Sequence, residues 1–150
     1  MKRIVVYIAA LLAALVVPLK ETDIGKLQPV ALVQLYKEGE TVIIVTDAGD
    51  SGIGDTVEAA FENLEETTSG IVFLDTADFL LVSKSATDAI DTLGVYLKPS
   101  VRICYAEQDI DPVEAAKYLA VHKPMVRLKD GENRDNADVL SRENGRLIMH

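Results

Sequence analysis

Thr41-Val-Ile-Ile-Val-Thr-Asp-Ala-Gly-Asp-Ser-Gly-Ile-Gly-Asp-Thr-Val-Glu-Ala-Ala-Phe-Glu-Asn-Leu64 joins an unbroken apolar run, a glycine-rich acidic segment and a helical period. Val42–Val45 is apolar without a break, the pattern of a central strand covered on both faces. Asp47–Asp55 is dense in turn residues and reads as a loop. Asp55, with Glu58 three residues on, forms a capping box. Val57, Ala60, Phe61 and Leu64 then recur on one side of a helix.

Working outward, Leu27–Tyr36 reads as a strand joined to Thr41–Thr46 by Lys37-Glu-Gly-Glu40, a short Gly-containing hairpin connection. Thr67-Thr-Ser-Gly70 ends the helix. Ile71–Leu74 and Phe79–Val82 are strand-like, separated by Asp75-Thr-Ala-Asp78. Ser85 and Asp88 cap a second predicted helix with Ala86, Ala89, Ile90, Leu93 and Leu97 on one face, and Pro99 stops it. Val101–Tyr105 is a further strand. Asp111, Pro112 at the first helical position and Glu114 announce a third helix through about Val121. Past Pro124, Met125–Leu128 and Arg146–Met149 read as short strands flanking a polar segment, Lys129–Asn144. The order β-β-α-β-β-α-β-α predicts an α/β (α+β) fold, a mixed sheet with three helices on it. Its expected core includes Phe61, Leu64, Ile71, Phe73, Leu80 and Ile90.

The 150 residues, 49% hydrophobic and 26% charged, suit one folded domain with a real core. Charge is distributed unevenly. Residues 1–20 hold three of the fifteen Lys and Arg and none of the 24 acids, so the remaining 130 residues carry about −12. Nucleic acid is excluded as a partner, because phosphate binding rests on Lys and Arg. Cys104 is the single cysteine, which rules out an intrachain disulfide and reads as a buried small hydrophobe.

Lys2-Arg3 precedes Ile4–Val17, a run without charge, and then Pro18-Leu19. A positive start followed by an apolar run is the layout of a signal peptide or membrane anchor, here residues 1–20. As a helix, Ile4–Leu19 spans about 24 Å against a hydrocarbon core of about 30 Å. No A-x-A cleavage pattern occurs, which favours a retained anchor. Basic residues before the run and acidic ones after it orient residues 21–150 outside the cell membrane, as one extracytoplasmic domain. The membrane is thus the expected partner, through residues 4–19.

Several motifs resemble functional signatures. Gly49-Asp-Ser-Gly52 matches the surroundings of a serine nucleophile, but both histidines, His122 and His150, follow Ser51. Gly52-x-Gly54 is a fragment of a dinucleotide fingerprint whose third glycine is replaced by Val57. Asp47, Asp50 and Asp55 would repel the phosphate. Those three aspartates are the candidates for a Ca²⁺ site, set against a solvated acidic turn, and their spacing fits no EF-hand. Asp75 and Asp78 flank a tight connection, where Asp serves turn chemistry. His122 suits a helix C-terminus. The sequence therefore predicts no catalytic residue and no cofactor.

Gly52-Ile-Gly54-Asp-Thr56, Glu58-Ala59, Asn63-Leu64, Ile71–Leu74 and Leu80–Val82 follow one another in an order with a known counterpart. Over about residues 27–121 the chain resembles the N-terminal domain of the C subunit of spore germinant receptors (the GerAC type). The resemblance implies an extracytoplasmic, non-enzymatic subunit of a membrane complex in a spore-forming bacterium. Members usually carry a cysteine directly after the signal, where this chain has Val17-Pro-Leu19.

Two functional expectations result. One is a membrane-tethered, non-enzymatic binding or assembly module, without a deep pocket of convergent polar groups. The other is a small exported hydrolase or calcium-binding domain built on the acidic 47–55 loop, which requires such a pocket.

Overall fold

The computed structural model describes residues 27–107 and 109–150. Strands β1 (Leu27–Pro29), β2 (Leu32–Glu38), β3 (Thr41–Thr46) and β4 (Ser51–Gly54) lead into helix α1 (Val57–Thr67). Then come β5 (Ile71–Phe73), β6 (Phe79–Ser83), α2 (Ile90–Gly94) and β7 (Arg102–Ala106). Helix α3 (Pro112–Val121) and strands β8 (Val139–Glu143) and β9 (Arg146–Met149) follow. Among the described residues, seven strands form one mixed sheet in the order β4-β3-β2-β6-β7-β8-β9. Its four middle strands β2, β6, β7 and β8 are parallel, and antiparallel partners close both edges. β1 and β5 pair separately, in parallel. The α/β class with a mixed sheet agrees with the sequence.

Side chains alternate across the sheet, and both faces are covered. Leu80 and Val82 of β6 join Val33, Leu35, Ile44 and Ile103 in a cluster closed by Leu64 of α1 and Leu93 of α2. Phe79 and Leu81 join Leu32, Cys104 and Leu140 in a second cluster closed by Ala115 and Leu119 of α3. β6 is therefore the central strand. The assignment of that place to Val42–Val45 is corrected: β3 lies one position from the edge, and Val45 is only partly buried.

The loop read over Asp47–Asp55 is a turn followed by strand β4, paired with β3 from Val45↔Ser51 to Val42↔Gly54. Its glycines have a packing cause. A Cβ on Gly52 would stand 2.0 Å from the Ala60 carbonyl oxygen, and one on Gly54 2.4 Å from the Ala60 nitrogen. Helix α1 lies directly on the bare backbone of β4. The capping box at Asp55 is corrected too: Thr56 is the N-cap, and its Oγ1 accepts from the Ala59 N–H at 3.1 Å. Helix α3 begins as predicted, with Asp111 accepting from the Glu114 N–H at 2.9 Å.

The second helix is shorter than read. Lys84–Ala89 is wound as 3-10 turns, and only Ile90–Gly94 is α-helical. Ser85 and Asp88 do not cap it, since both reach across to Lys37 of β2. The strand read over Leu27–Tyr36 breaks after Pro29, where the Val30 N–H donates to Thr76 Oγ1 at 2.9 Å. Met125–Leu128 forms no strand beyond a single bridge between Arg127 and Arg102. Ile71 and Phe73 are 46% and 43% exposed, and Val72 between them is the buried residue of β5. The expected membrane segment lies outside the described residues. Among those described, no helix is long and apolar enough to cross a membrane.

Candidate functional site

Parallel strands β2, β6 and β7 end on one edge of the sheet, at Glu38, Ser83 and Ala106. Open α/β sheets bind ligands in crevices outside the carboxyl ends of such strands. Here a crevice of about 360 Å³ opens at that edge. Its lining includes Gln34 and Tyr36 of β2, Ser83 of β6, Ala106 of β7, and Glu107 and Asp109 of the next loop. The volume falls in the lower part of the range of small-molecule sites.

Gln34 is its distinctive residue. It sits opposite Leu81 in the β2–β6 ladder and is only 5% exposed. Its amide forms no hydrogen bond among the described residues, yet is not sealed away from the crevice it lines. Its polar atoms therefore face solvent in the crevice, where a ligand can reach them.

The rim is charged, and its charges divide into two sets. Lys37 Nζ lies 2.5 Å from Asp88, and Lys84 Nζ lies 3.3 Å from Glu107. Glu38 and Asp109 have no ion-pair partner among the described residues. Both carboxylates act on Tyr36, whose phenol is held above its ordinary range first by burial and then by these two charges. Ser83 and Ser85 share a hydroxyl–hydroxyl bond of 2.7 Å. Ser85 also bonds the Lys37 backbone N–H and C=O at 3.2 Å each, pinning the 3-10 turn to the end of β2. No His or Cys lines the crevice. The arrangement offers hydrogen bonds and surplus negative charge, a chemistry suited to binding.

The residues singled out in the sequence lie elsewhere. Asp47 Oδ1 accepts from the backbone N–H groups of Ala31 and Leu32, at 3.0 and 3.1 Å. Asp50 closes the turn, its N–H donating to Thr46 Oγ1 at 3.3 Å. Asp55 is at the far end of β4 from both, about 13 Å of strand away. The three aspartates do not converge. Among the described residues no group of three or more His, Cys, Asp or Glu is arranged to hold a metal ion. Ser51 is exposed on the edge strand. His122 stacks on Tyr118, and His150 meets Ser141 at 3.1 Å. Asp78 pairs with Lys98 at 2.6 Å, and Asp75 is exposed. Cys104 is buried, and burial with the nearby Asp138 charge pushes its thiol up to about 12.

A depression of about 310 Å³ does adjoin the acidic turn, lined by Asp50, Ser51, Asn63 and Thr67. Two of its polar side chains are engaged within the fold: Asn63 Oδ1 accepts from the Ile53 N–H at 3.0 Å, and Thr67 donates to the Asn63 carbonyl at 2.8 Å. A larger hollow of about 470 Å³ lies between Thr87, Tyr105 and Arg134. Arg134 there bonds the Leu128 carbonyl and pairs with Asp91.

The crevice departs from the expectation of a domain without a polar pocket. It is also remote from the 47–55 loop that the hydrolase expectation needs. No protein-family model, curated protein or solved structure matches the chain. Sequence reading missed Gln34 because it was absorbed into an apolar strand. The signal was there: an amide at the one polar position of Ala31–Tyr36.

Proposed function

We propose that this chain is a membrane-tethered extracytoplasmic module that binds a small polar ligand and carries out no chemistry on it. The observation that carries the binding half is Gln34, a largely buried residue whose amide has no hydrogen bond among the described residues and opens on a crevice at the carboxyl edge. A bound ligand that hydrogen-bonds this amide replaces its solvent contact in the crevice. The crevice's serine hydroxyls bond each other and its two lysines are ion-paired, which supports binding over chemistry.

The tether rests on Lys2-Arg3 and the uncharged run behind it. Ile71, Phe73 and Pro29 agree with it, since all three are exposed on the ribbon formed by β5 and the first described strand. The resemblance to the germinant-receptor C subunit supports the same reading, that of an accessory subunit in a membrane complex. No observation favours a hydrolase or calcium site at Asp47, Asp50 and Asp55, whose carboxylates do not meet.

Reporter fusions test the tether. A reporter active only after export, joined after residue 25, should be active in cells, and deleting residues 1–19 should silence it. Activity confined to a cytoplasm-only reporter would overturn the assignment.

A further inference from the structure

Within that reading of the crevice as a ligand site, on which the inference rests, the charges on its rim specify what it takes. Lys37 and Lys84 are each neutralised by their own acid, Asp88 and Glu107. Among the described residues Glu38 and Asp109 are not, and they flank Tyr36 on the same side of the sheet as Gln34. The crevice thus presents two surplus carboxylates above one unpartnered amide. We propose that it binds a small organic ammonium ion carrying a second hydrogen-bonding group, with Glu38 and Asp109 facing the ammonium and the Gln34 amide meeting the second group.

The chemistry fits each part. An ammonium presents several N–H donors, matching acceptor-only carboxylates, and its charge offsets theirs. A hydroxyl or carbonyl beside it engages the Gln34 amide, which has both donors and an acceptor. Anionic ligands are disfavoured by the same surplus. A hard divalent cation takes six to eight oxygens, more than two carboxylates and one amide provide.

The test uses ¹⁵N-labelled full-length protein in detergent micelles, titrated near pH 7 with two probes of nearly the same size. Ethanolamine carries an ammonium and a hydroxyl; ethylene glycol carries two hydroxyls and no charge. Ethanolamine should shift the Gln34 side-chain NH₂ signals and the Glu38 and Asp109 amides saturably, with ethylene glycol leaving them in place. The double variant Glu38→Gln, Asp109→Asn, altered at two exposed side chains, should keep the remaining spectrum and bind ethanolamine at least about tenfold more weakly. If ethylene glycol shifts Gln34 as strongly as ethanolamine, the crevice binds ligands without selecting charge, and the ammonium assignment is wrong while the binding reading stands. If neither probe moves these signals, both are overturned. Ca²⁺ shifting them where ethanolamine does not would also overturn the assignment, in favour of a metal.

Discussion

Asp47 and Leu32 are joined in both directions: the Leu32 N–H donates to Asp47 Oδ1, and the Asp47 N–H donates to the Leu32 carbonyl, each at 3.1 Å. The end of β3 thereby fixes the start of β2, the strand that carries Gln34. An acid that reads in the sequence as turn chemistry or a calcium ligand is a clamp on backbone donors. Asp47→Ala removes the acceptor for two N–H groups and should cost about 1–2 kcal/mol in urea unfolding. Asp47→Asn keeps Oδ1 and should cost about 0.5 kcal/mol or less. Equal stability of the alanine variant and wild type would refute the clamp.

Gly52 and Gly54 make a sharper demand, because the obstacle to a side chain is helix backbone rather than a movable tip. Gly52→Ala should destabilise the domain by about 3 kcal/mol, or lift α1 from β4 altogether. A methyl group at Gly131 would meet nothing within 4 Å, and the backbone there has no positive φ, so Gly131→Ala should be nearly neutral. Circular dichroism melts of the two variants, run side by side, decide the matter; similar melts would contradict the close approach.

Phe61 and Leu64 exchange ranks relative to a simple count of ring size. Phe61 is only partly buried and stacks on Tyr96 at 4.2 Å between ring centroids, whereas Leu64 is fully buried. Leu64→Ala should therefore cost about 3–4 kcal/mol and Phe61→Ala about 1–2 kcal/mol. Equilibrium unfolding that reverses this order would show the face of α1 to be misjudged.

What the sequence disclosed followed local rules, and what it hid depended on neighbours. Asp111, Pro112 and Glu114 mark the start of α3 because capping is a local hydrogen-bond problem. The class was legible from the alternation of apolar runs and helical periods. Ser51–Gly54 has turn composition and becomes a strand only because α1 requires bare backbone beneath it. Val139–Glu143 looks polar and is a strand only because β7 and β9 pair with it on both sides. Within Ile71–Phe73 the short apolar run did not reveal which face was buried, and Val72 proved to be the inward residue. The crevice was hidden for the same reason, since the sheet order alone brings Gln34 and Tyr36 of β2 to one crevice with Ser83 and Asp109.

Cys104 offers a test by pH. Its thiol is raised from an ordinary value of 9.0 to about 12 by burial in the folded chain. Above the unfolded value the unfolded chain ionises while the folded one keeps its proton, so the stabilisation is complete below pH 9 and is lost as pH rises towards 12. In that window wild-type stability should fall by up to about 1.4 kcal/mol per pH unit more than that of Cys104→Ala. Parallel curves for the two proteins would mean that the thiol is not buried as described.

Gln34 distinguishes a ligand site from a structural position, because a residue kept for a ligand and a residue kept for the fold respond differently to the same substitution. Gln34→Met retains the length of the side chain and removes the unpartnered amide. The measurement is the unfolding free energy of that variant against wild type, with no ligand present. A site held open for a ligand predicts that the variant is as stable as wild type, within about 0.5 kcal/mol. A loss of more than about 1 kcal/mol would show the amide to be serving the fold, and would contradict the assignment of the crevice as a binding site.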